Sequence, residues 1–255
     1  MKLTFLRKRD LIVPTLFTLL LFSCVNTRKA TYFSETKDGT ITTVIPVPES
    51  VIHKNDLLNI TVTSLNAQAT EVFNTPNISG TNNEVTGYLV NSDGTIQFPM
   101  LGVLKVEGQT KEQLKATITK KLVDRQLLTD PIVNIRLMNF RVTVLGEVRN
   151  PNVIPVPNEK ISLLEAIGLA GDLTIYGKRE NVMVIREENG QKIIKRINLN
   201  SNELLTSPYY YLKSDDVVYV EPNKSRVASS RSSEWVPVVI SALSFAAIIV
   251  DRVTR

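Results

Sequence analysis

Apolar residues recur along this chain in three rhythms, and each rhythm predicts a different kind of element. Between Val51 and Thr63 the residues Leu58, Ile60 and Val62 alternate with polar neighbours, the period-two mark of a half-buried strand. After Thr110 the spacing becomes Leu114, Ile118 and Leu122. That spacing of four gives a helix one buried face and leaves Lys111, Lys115 and Lys121 off it. Thr110 with Gln113 makes a capping box at the helix start. Strand-like stretches follow at 132–137 and 141–148, and Asn150-Pro151-Asn152 turns the second into 153–156. Ser162 and Glu165 form another capping box, opening a helix over 163–170, with Gly171 where a left-handed cap is wanted. Strands at 181–186 and 192–199, joined through Asn189-Gly190, and a last one at 216–220 complete the periodic part. The third rhythm is unbroken apolarity, over 11–22 and again from Trp235 to Val250.

The aperiodic stretches divide the chain. Residues 24–46 are polar and Thr-rich and read as a tether, with Pro46 and Pro48 at its end. Residues 64–84 are rich in Asn, Thr, Ser and Gly and read as an exposed loop. In 87–99 two short apolar strands flank Asp93-Gly94, which predicts a hairpin turn there. Residues 223–233 form a polar linker. The expected fold class is α+β, with a first domain at 47–138 and a second at 139–222. Strand hairpin, helix and further strands in the second domain follow the β-grasp pattern. A helix at 234–251 closes the chain.

That last helix has two readings. Its sixteen uncharged residues from Trp235 to Val250 span about 24 Å at about 1.5 Å per residue, short of the roughly 20 residues an ordinary spanning helix needs. On a helical wheel Pro237, Ser241, Ser244, Ile248 and Asp251 fall on one side, while Val238, Val239, Leu243, Phe245 and Ile249 cover much of the rest. A hydroxyl-bearing seam on an otherwise apolar helix suits the wall of a pore, with Trp235 at the interface. A plain tail anchor or a docked hydrophobic helix fits the segment as well.

Composition changes the picture mainly at the other end. With 43% hydrophobic and 22% charged residues in 255, the chain is ordinary for a folded protein of two modest domains. Its formal charge of +5 is concentrated in a leader where Lys2, Arg7, Lys8 and Arg9 face Asp10 alone. The basic balance therefore says little about a nucleic-acid surface, and no nucleic-acid partner is expected. Residues 1–23 have the basic start, apolar run and small closing residue of a secretory signal. Leu21-Phe22-Ser23-Cys24 resembles a bacterial lipobox, so Cys24, the only cysteine, is the expected lipid-attachment site. The compartment is then the periplasmic side of a Gram-negative envelope, and Val25, with no Asp after the cysteine, favours the outer membrane by resemblance to sorted lipoproteins.

Candidate chemistry is sparse. One histidine, His53, and one cysteine exclude zinc sites with several His or Cys ligands, and His53 is expected in an exposed loop. Asp215-Asp216 and Glu187-Glu188 are neighbours on strand ends or turns, and adjacent strand positions point opposite ways. No catalytic residue, metal site or cofactor is expected. Tyr209, Tyr210 and Tyr211 could stack on sugar rings or pack a domain edge. The lysines of the first helix read as a solvated face or as a polyanion patch.

Several motifs carry a family resemblance. The stretch 53–62, the run Val90-Asn-Ser-Asp-Gly-Thr-Ile-Gln-Phe-Pro-Met-Leu-Gly102, then 106–114 and 131–135 resemble, in order, the outer-membrane polysaccharide export family of Wza type. The stretches 145–152, 164–171 and 212–220 resemble its soluble-ligand-binding β-grasp (SLBB) module. Asn152 and Asp172 depart from it where the family usually has glycine, and only one such module is present. The resemblance implies a non-catalytic outer-membrane lipoprotein that exports capsular polysaccharide or exopolysaccharide. It implies a ring oligomer, commonly an octamer, whose terminal helices assemble into a pore through the membrane lipid. It also implies an inner-membrane polysaccharide copolymerase or tyrosine autokinase as partner. The alternative is a monomeric lipoprotein whose β-grasp module binds a soluble ligand or glycan.

Overall fold

A computed structural model describes residues 31–42, 45–74, 87–188 and 190–226, and in the terminal stretch 237–242, 244, 245, 248, 249 and 252. The signal segment 1–23, Cys24 and Trp235 lie outside the described residues.

The first unit is built on β1 (Leu57–Thr63), whose alternation buries Leu58, Ile60 and Val62 as the pattern requires. It is central in a three-stranded antiparallel sheet, between β2 (Tyr88–Leu89) and β5 (Ile132–Leu137). The helix α2 (Lys111–Asp124) starts with the expected capping box and buries Leu114, Ile118 and Leu122. The loop expected over 64–84 begins differently: Asn66 caps a short helix, α1 (Ala67–Glu71), by accepting the Ala69 N–H. The expected hairpin about Asp93-Gly94 is corrected too. The turn exists, with the Asn91 N–H bonded to the Thr95 carbonyl at 2.9 Å. Its flanking strands, however, pair elsewhere: β2 joins β1, and β3 (Thr95–Phe98) pairs with β4 (Gly102–Lys105). The β3–β4 hairpin closes around Met100, at φ 61°, and Gly102, at φ 76°. Phe98 draws these pieces together, stacking on Tyr88 at 5.3 Å and Phe73 at 6.2 Å. The Tyr88 hydroxyl donates to the Phe73 carbonyl at 2.8 Å, and burial pushes its pKa up to about 12.

The second unit is a five-stranded sheet in the order β7-β6-β10-β8-β9. Hairpins join β6 (Arg141–Gly146) to β7 (Asn152–Pro155) and β8 (Gly177–Glu188) to β9 (Gln191–Ile197). The last strand, β10 (Val217–Pro222), enters between them, parallel to β6 and antiparallel to β8. This is the β-grasp order expected from the element sequence. The parallel pair comes so close at Gly146 (φ 91°) that a Cβ there would sit 2.1 Å from the Val220 carbonyl oxygen. The helix α3 (Leu163–Leu169) carries the second capping box and buries Leu163, Ala166 and Ile167. Gly171 adopts the left-handed conformation at φ 80°.

The buried apolar residues form one cluster running through both units. Polar side chains rivet the junction. Asn139 accepts the Leu57 N–H at 3.0 Å and donates to the Asn55 carbonyl at 3.1 Å. Glu159 ion-pairs with Lys111 at 2.5 Å through one carboxylate oxygen, and the other accepts the Leu137 N–H at 2.9 Å.

Candidate functional site

The tyrosine cluster lies between a 3₁₀ turn (Glu203–Thr206) and β10, and its surroundings explain its shape. Arg186 of β8 and Asp216, just before β10, are 5% and 1% exposed at their side chains. They form a bidentate pair: Nη2 meets Oδ2 at 2.6 Å and Nε meets Oδ1 at 2.9 Å. Arg186 Nη2 also reaches the Tyr211 carbonyl at 3.2 Å, and Asp216 Oδ2 also accepts the Lys213 N–H at 2.8 Å. The Arg186 guanidinium lies 4.6 Å from the centre of the Tyr209 ring. Tyr210 meets Tyr211 edge-on at 4.9 Å, and Lys160 sits 5.1 Å over the Tyr211 ring. The Tyr210 carbonyl accepts the Leu163 N–H, joining the cluster to the start of α3. All three tyrosines are half-buried. A buried charge is tolerated only when paired and fully hydrogen-bonded, and here the strands, the loop backbone and an aromatic face supply those contacts. The cluster thus packs a domain edge around an ion pair. His53 lies in an exposed loop, its N–H bonded to Asp56 Oδ2 at 2.8 Å. Burial raises the Asp56 pKa.

The tether is not free where it is described. Phe33 and Glu35 donate their N–H groups to the carbonyls of Leu199 and Asn200 at 2.9 and 3.0 Å. The Tyr32 hydroxyl donates to the Asp172 carboxylate, and Arg179 lies 5.2 Å from the Tyr32 ring. Burial, and then Asp172, raise the Tyr32 pKa above the usual phenol value. Asp172 holds a left-handed φ of 71°, which explains how it stands where glycine was expected, and its side chain also takes the Leu173 N–H at 2.6 Å. The linker is likewise pinned at its start. Asn223 N–H reaches the Tyr176 carbonyl at 2.7 Å, and Arg226 pairs with Glu147 at 3.2 Å. Sequence periodicity could not find these contacts, because single polar residues outside any repeat make them.

Among the terminal residues, 237–242, 244, 245, 248, 249 and 252 are helical and all are exposed. Val239 is 51% exposed, Phe245 68% and Ile249 49%. Ser241 and Ser244 donate their hydroxyls to the carbonyls of Pro237 and Ile240, at 2.7 and 2.8 Å. The seam is therefore satisfied by its own helix and does not oblige water or a partner to face it. Among the described residues no helix is long and apolar enough to cross a membrane. Among the described residues no group of three or more His, Cys, Asp or Glu could hold a metal ion.

Residues 45–138 match the model of the polysaccharide biosynthesis/export protein family, and residues 141–196 match that of the SLBB domain. The chain is similar to the EPS I polysaccharide export outer membrane protein EpsA of Ralstonia solanacearum, 30% identical over 156 residues. That match covers 60% of this chain and 40% of the relative. It is also similar to the protein of the same name from Ralstonia nicotianae (strain ATCC BAA-1114 / GMI1000), 33% identical over 106 residues. There the match covers 40% of this chain and 27% of the relative, so the chain aligns with less than half the length of either. The two family matches lie end to end, the polysaccharide biosynthesis/export match over the first folded unit and the SLBB match over most of the second.

Proposed function

We propose that this chain is a non-catalytic outer-membrane component for export of capsular polysaccharide or exopolysaccharide, held to the membrane by lipid on Cys24. Its copies form a ring whose terminal helices together make the pore wall. The ring, commonly an octamer in the resembling family, meets an inner-membrane copolymerase or tyrosine autokinase at its periplasmic face. Support comes from the two family-model matches and from the names of the relatives.

One observation carries the pore reading. The terminal helix keeps Val238, Val239, Ile240, Phe245, Ile248 and Ile249 between 49% and 68% exposed, with its serine hydroxyls already bonded. A helix with apolar flanks and no unsatisfied hydroxyl is at ease against lipid or against copies of itself. Its shortness is accommodated by a ring of helices in the outer membrane, which is thinner than average. The test is deletion of residues 234–255. Rings seen by electron microscopy of detergent-extracted full-length protein, and loss of surface polymer on deletion, are the expected results. Full-length monomers, together with undiminished surface polymer after deletion, would instead favour a monomeric glycan-binding lipoprotein.

A further inference from the structure

The first unit carries a cleft of about 560 Å³ along β5. The antiparallel register sets Asn59 opposite Arg136 and Thr61 opposite Asn134, so these four polar side chains share one sheet face. From the start of α2, Lys111 and Lys115 reach the same cleft. The side chains of Arg136 and Asn134 are exposed and make no hydrogen bond or ion pair with any described residue. Lys115 has a loose pairing with Glu112 at 3.9 Å, and Glu112 is the one carboxylate among the described lining residues.

The backbone adds donors. The Met138 N–H turns inward to the Leu57 carbonyl at 2.8 Å, while the Leu137 N–H turns outward to Glu159 at 2.9 Å. Alternation along a strand then turns the N–H groups of Val133 and Ile135 outward, on the cleft side. The carbonyls of Val133 and Ile135 turn the same way, so the edge offers donors and acceptors together. Beside it stand Arg136 and the loosely paired Lys115, with Lys111 already held by Glu159, against a single acidic lining residue, Glu112. The amides and hydroxyl of the cleft match the donor–acceptor pattern of sugar hydroxyls, and a guanidinium matches a carboxylate through two parallel hydrogen bonds. A concave site of this kind suits an extended polyol chain; a membrane surface would meet a convex basic patch.

We propose that the cleft binds a segment of acidic polysaccharide, with Arg136 and Lys115 taking a sugar carboxylate and Asn134 a neighbouring hydroxyl. This deepens the export reading by naming the class of polymer, and it rests on that reading only for the source of the ligand.

The experiment is titration calorimetry on the full chain in mild detergent, with tetragalacturonate as acidic probe and maltotetraose as neutral probe of equal length. Tetragalacturonate should bind at least about tenfold more tightly, and Arg136→Gln should weaken it by about tenfold or more, since a hydrogen bond to a charged group carries that much. Arg136→Lys should fall between, and Lys192→Gln on exposed β9 should bind like the wild type. An unchanged thermal midpoint for Arg136→Gln would certify the fold; should that variant unfold, the milder Asn134→Ala is to show weakened binding. Equal affinity for both probes, no effect of Arg136→Gln in a folded protein, or equal binding of tetraglutamate would each overturn the site. So would binding to phosphatidylglycerol vesicles without binding to tetragalacturonate. The two readings fail separately. Surface polymer that persists when the whole chain is deleted defeats export, whereas calorimetry indifferent to Arg136 defeats only the cleft.

Discussion

The two folded units open their helices with the same device and then fill their interiors by different means. In the first, α2 lays Leu114, Ile118 and Leu122 on a sheet whose inner face is Leu58, Ile60, Val62 and Val133, all buried apolar residues. Its buried polar side chains are few, Asp56 and Thr70. In the second, the sheet is equally apolar at Val142, Val144, Val182, Val184, Val218 and Val220, but Arg179, Arg186, Asn200 and Asp216 are buried beside it. Both units are closed by a long chain return, β5 to β1 in the first and β10 to β6 in the second. The difference lies in what the return brings together: β5 sets apolar positions against β1, whereas β10 brings Asp216 up to Arg186 of β8. Arg186 and Asp216, thirty positions apart, meet where β8 and β10 pair. A buried pair of this kind adds little net stability over an apolar filling, but removing one partner leaves a stranded charge. The second unit should therefore fail abruptly at single polar sites, and the first by degrees at apolar ones.

The largest effect is expected for Asp216→Ala, which strands the Arg186 guanidinium and should cost about 3–5 kcal/mol in denaturant unfolding. Combining Arg186→Met with Asp216→Leu should recover much of that loss, because both charges leave together. Recovery should stay partial, since the Lys213 N–H also loses its acceptor. If the double variant is no better than Asp216→Ala, the pair is not what organises this interior. In the first unit Ile118→Ala should cost about 2–5 kcal/mol through lost burial and a cavity, with the lower end expected if the α2 face closes over it.

Smaller effects should separate the two capping boxes. Ser162 is buried, and its N–H holds the Glu165 carboxyl below the usual carboxylate range. Ser162→Ala should cost about 1–2 kcal/mol and Thr110→Ala about 0.5–1 kcal/mol. Hydrogen exchange should place the first loss in α3 and the second in the opening turn of α2. The smallest effect is a pH dependence at Glu221, where Arg196 and then Lys178 hold the pKa down to about 2. A depressed carboxylate stabilises the fold above its ordinary value near 4.5 and loses that contribution as pH falls toward about 2. The stability gap between wild type and Glu221→Gln should thus be full at neutral pH, shrink below 4.5, and close near 2. A gap that instead widens on acidification would refute the assignment. Added salt should narrow it throughout, because these partners are surface-exposed.

The elements themselves were legible because each carries its own period or its own cap. Leu58, Ile60 and Val62 announce β1, and Thr110 with Gln113 announces α2, without reference to anything distant. Gly171 could be placed at a left-handed cap for the same local reason. The hairpin around Asp93-Gly94 was misread because the turn signal is local but the pairing is not. Tyr88 and Leu89 gain more by joining β1, where Tyr88 reaches Phe98 and Phe73, than by folding back on their own turn. The tether was read as free because nothing in its composition points to Asp172 and Leu199, more than a hundred residues away.

The terminal helix sits between these cases. Its position and apolar character could be read from composition, and so could the spacing of Ser241 and Ser244. Whether those hydroxyls needed a lumen could not, because a serine in a helix can bond either outward or to the carbonyl four residues before it. By itself, then, the sequence determined most of the strands and where α2 and α3 begin, since those depend on neighbours a few residues apart; the short α1 and β4 escaped it. The tertiary structure alone decided which strand pairs with which and where Arg186, Asp172, Glu159 and Arg136 come to lie. Those outcomes depend on groups brought together by chain return, and a one-dimensional pattern carries no record of that distance.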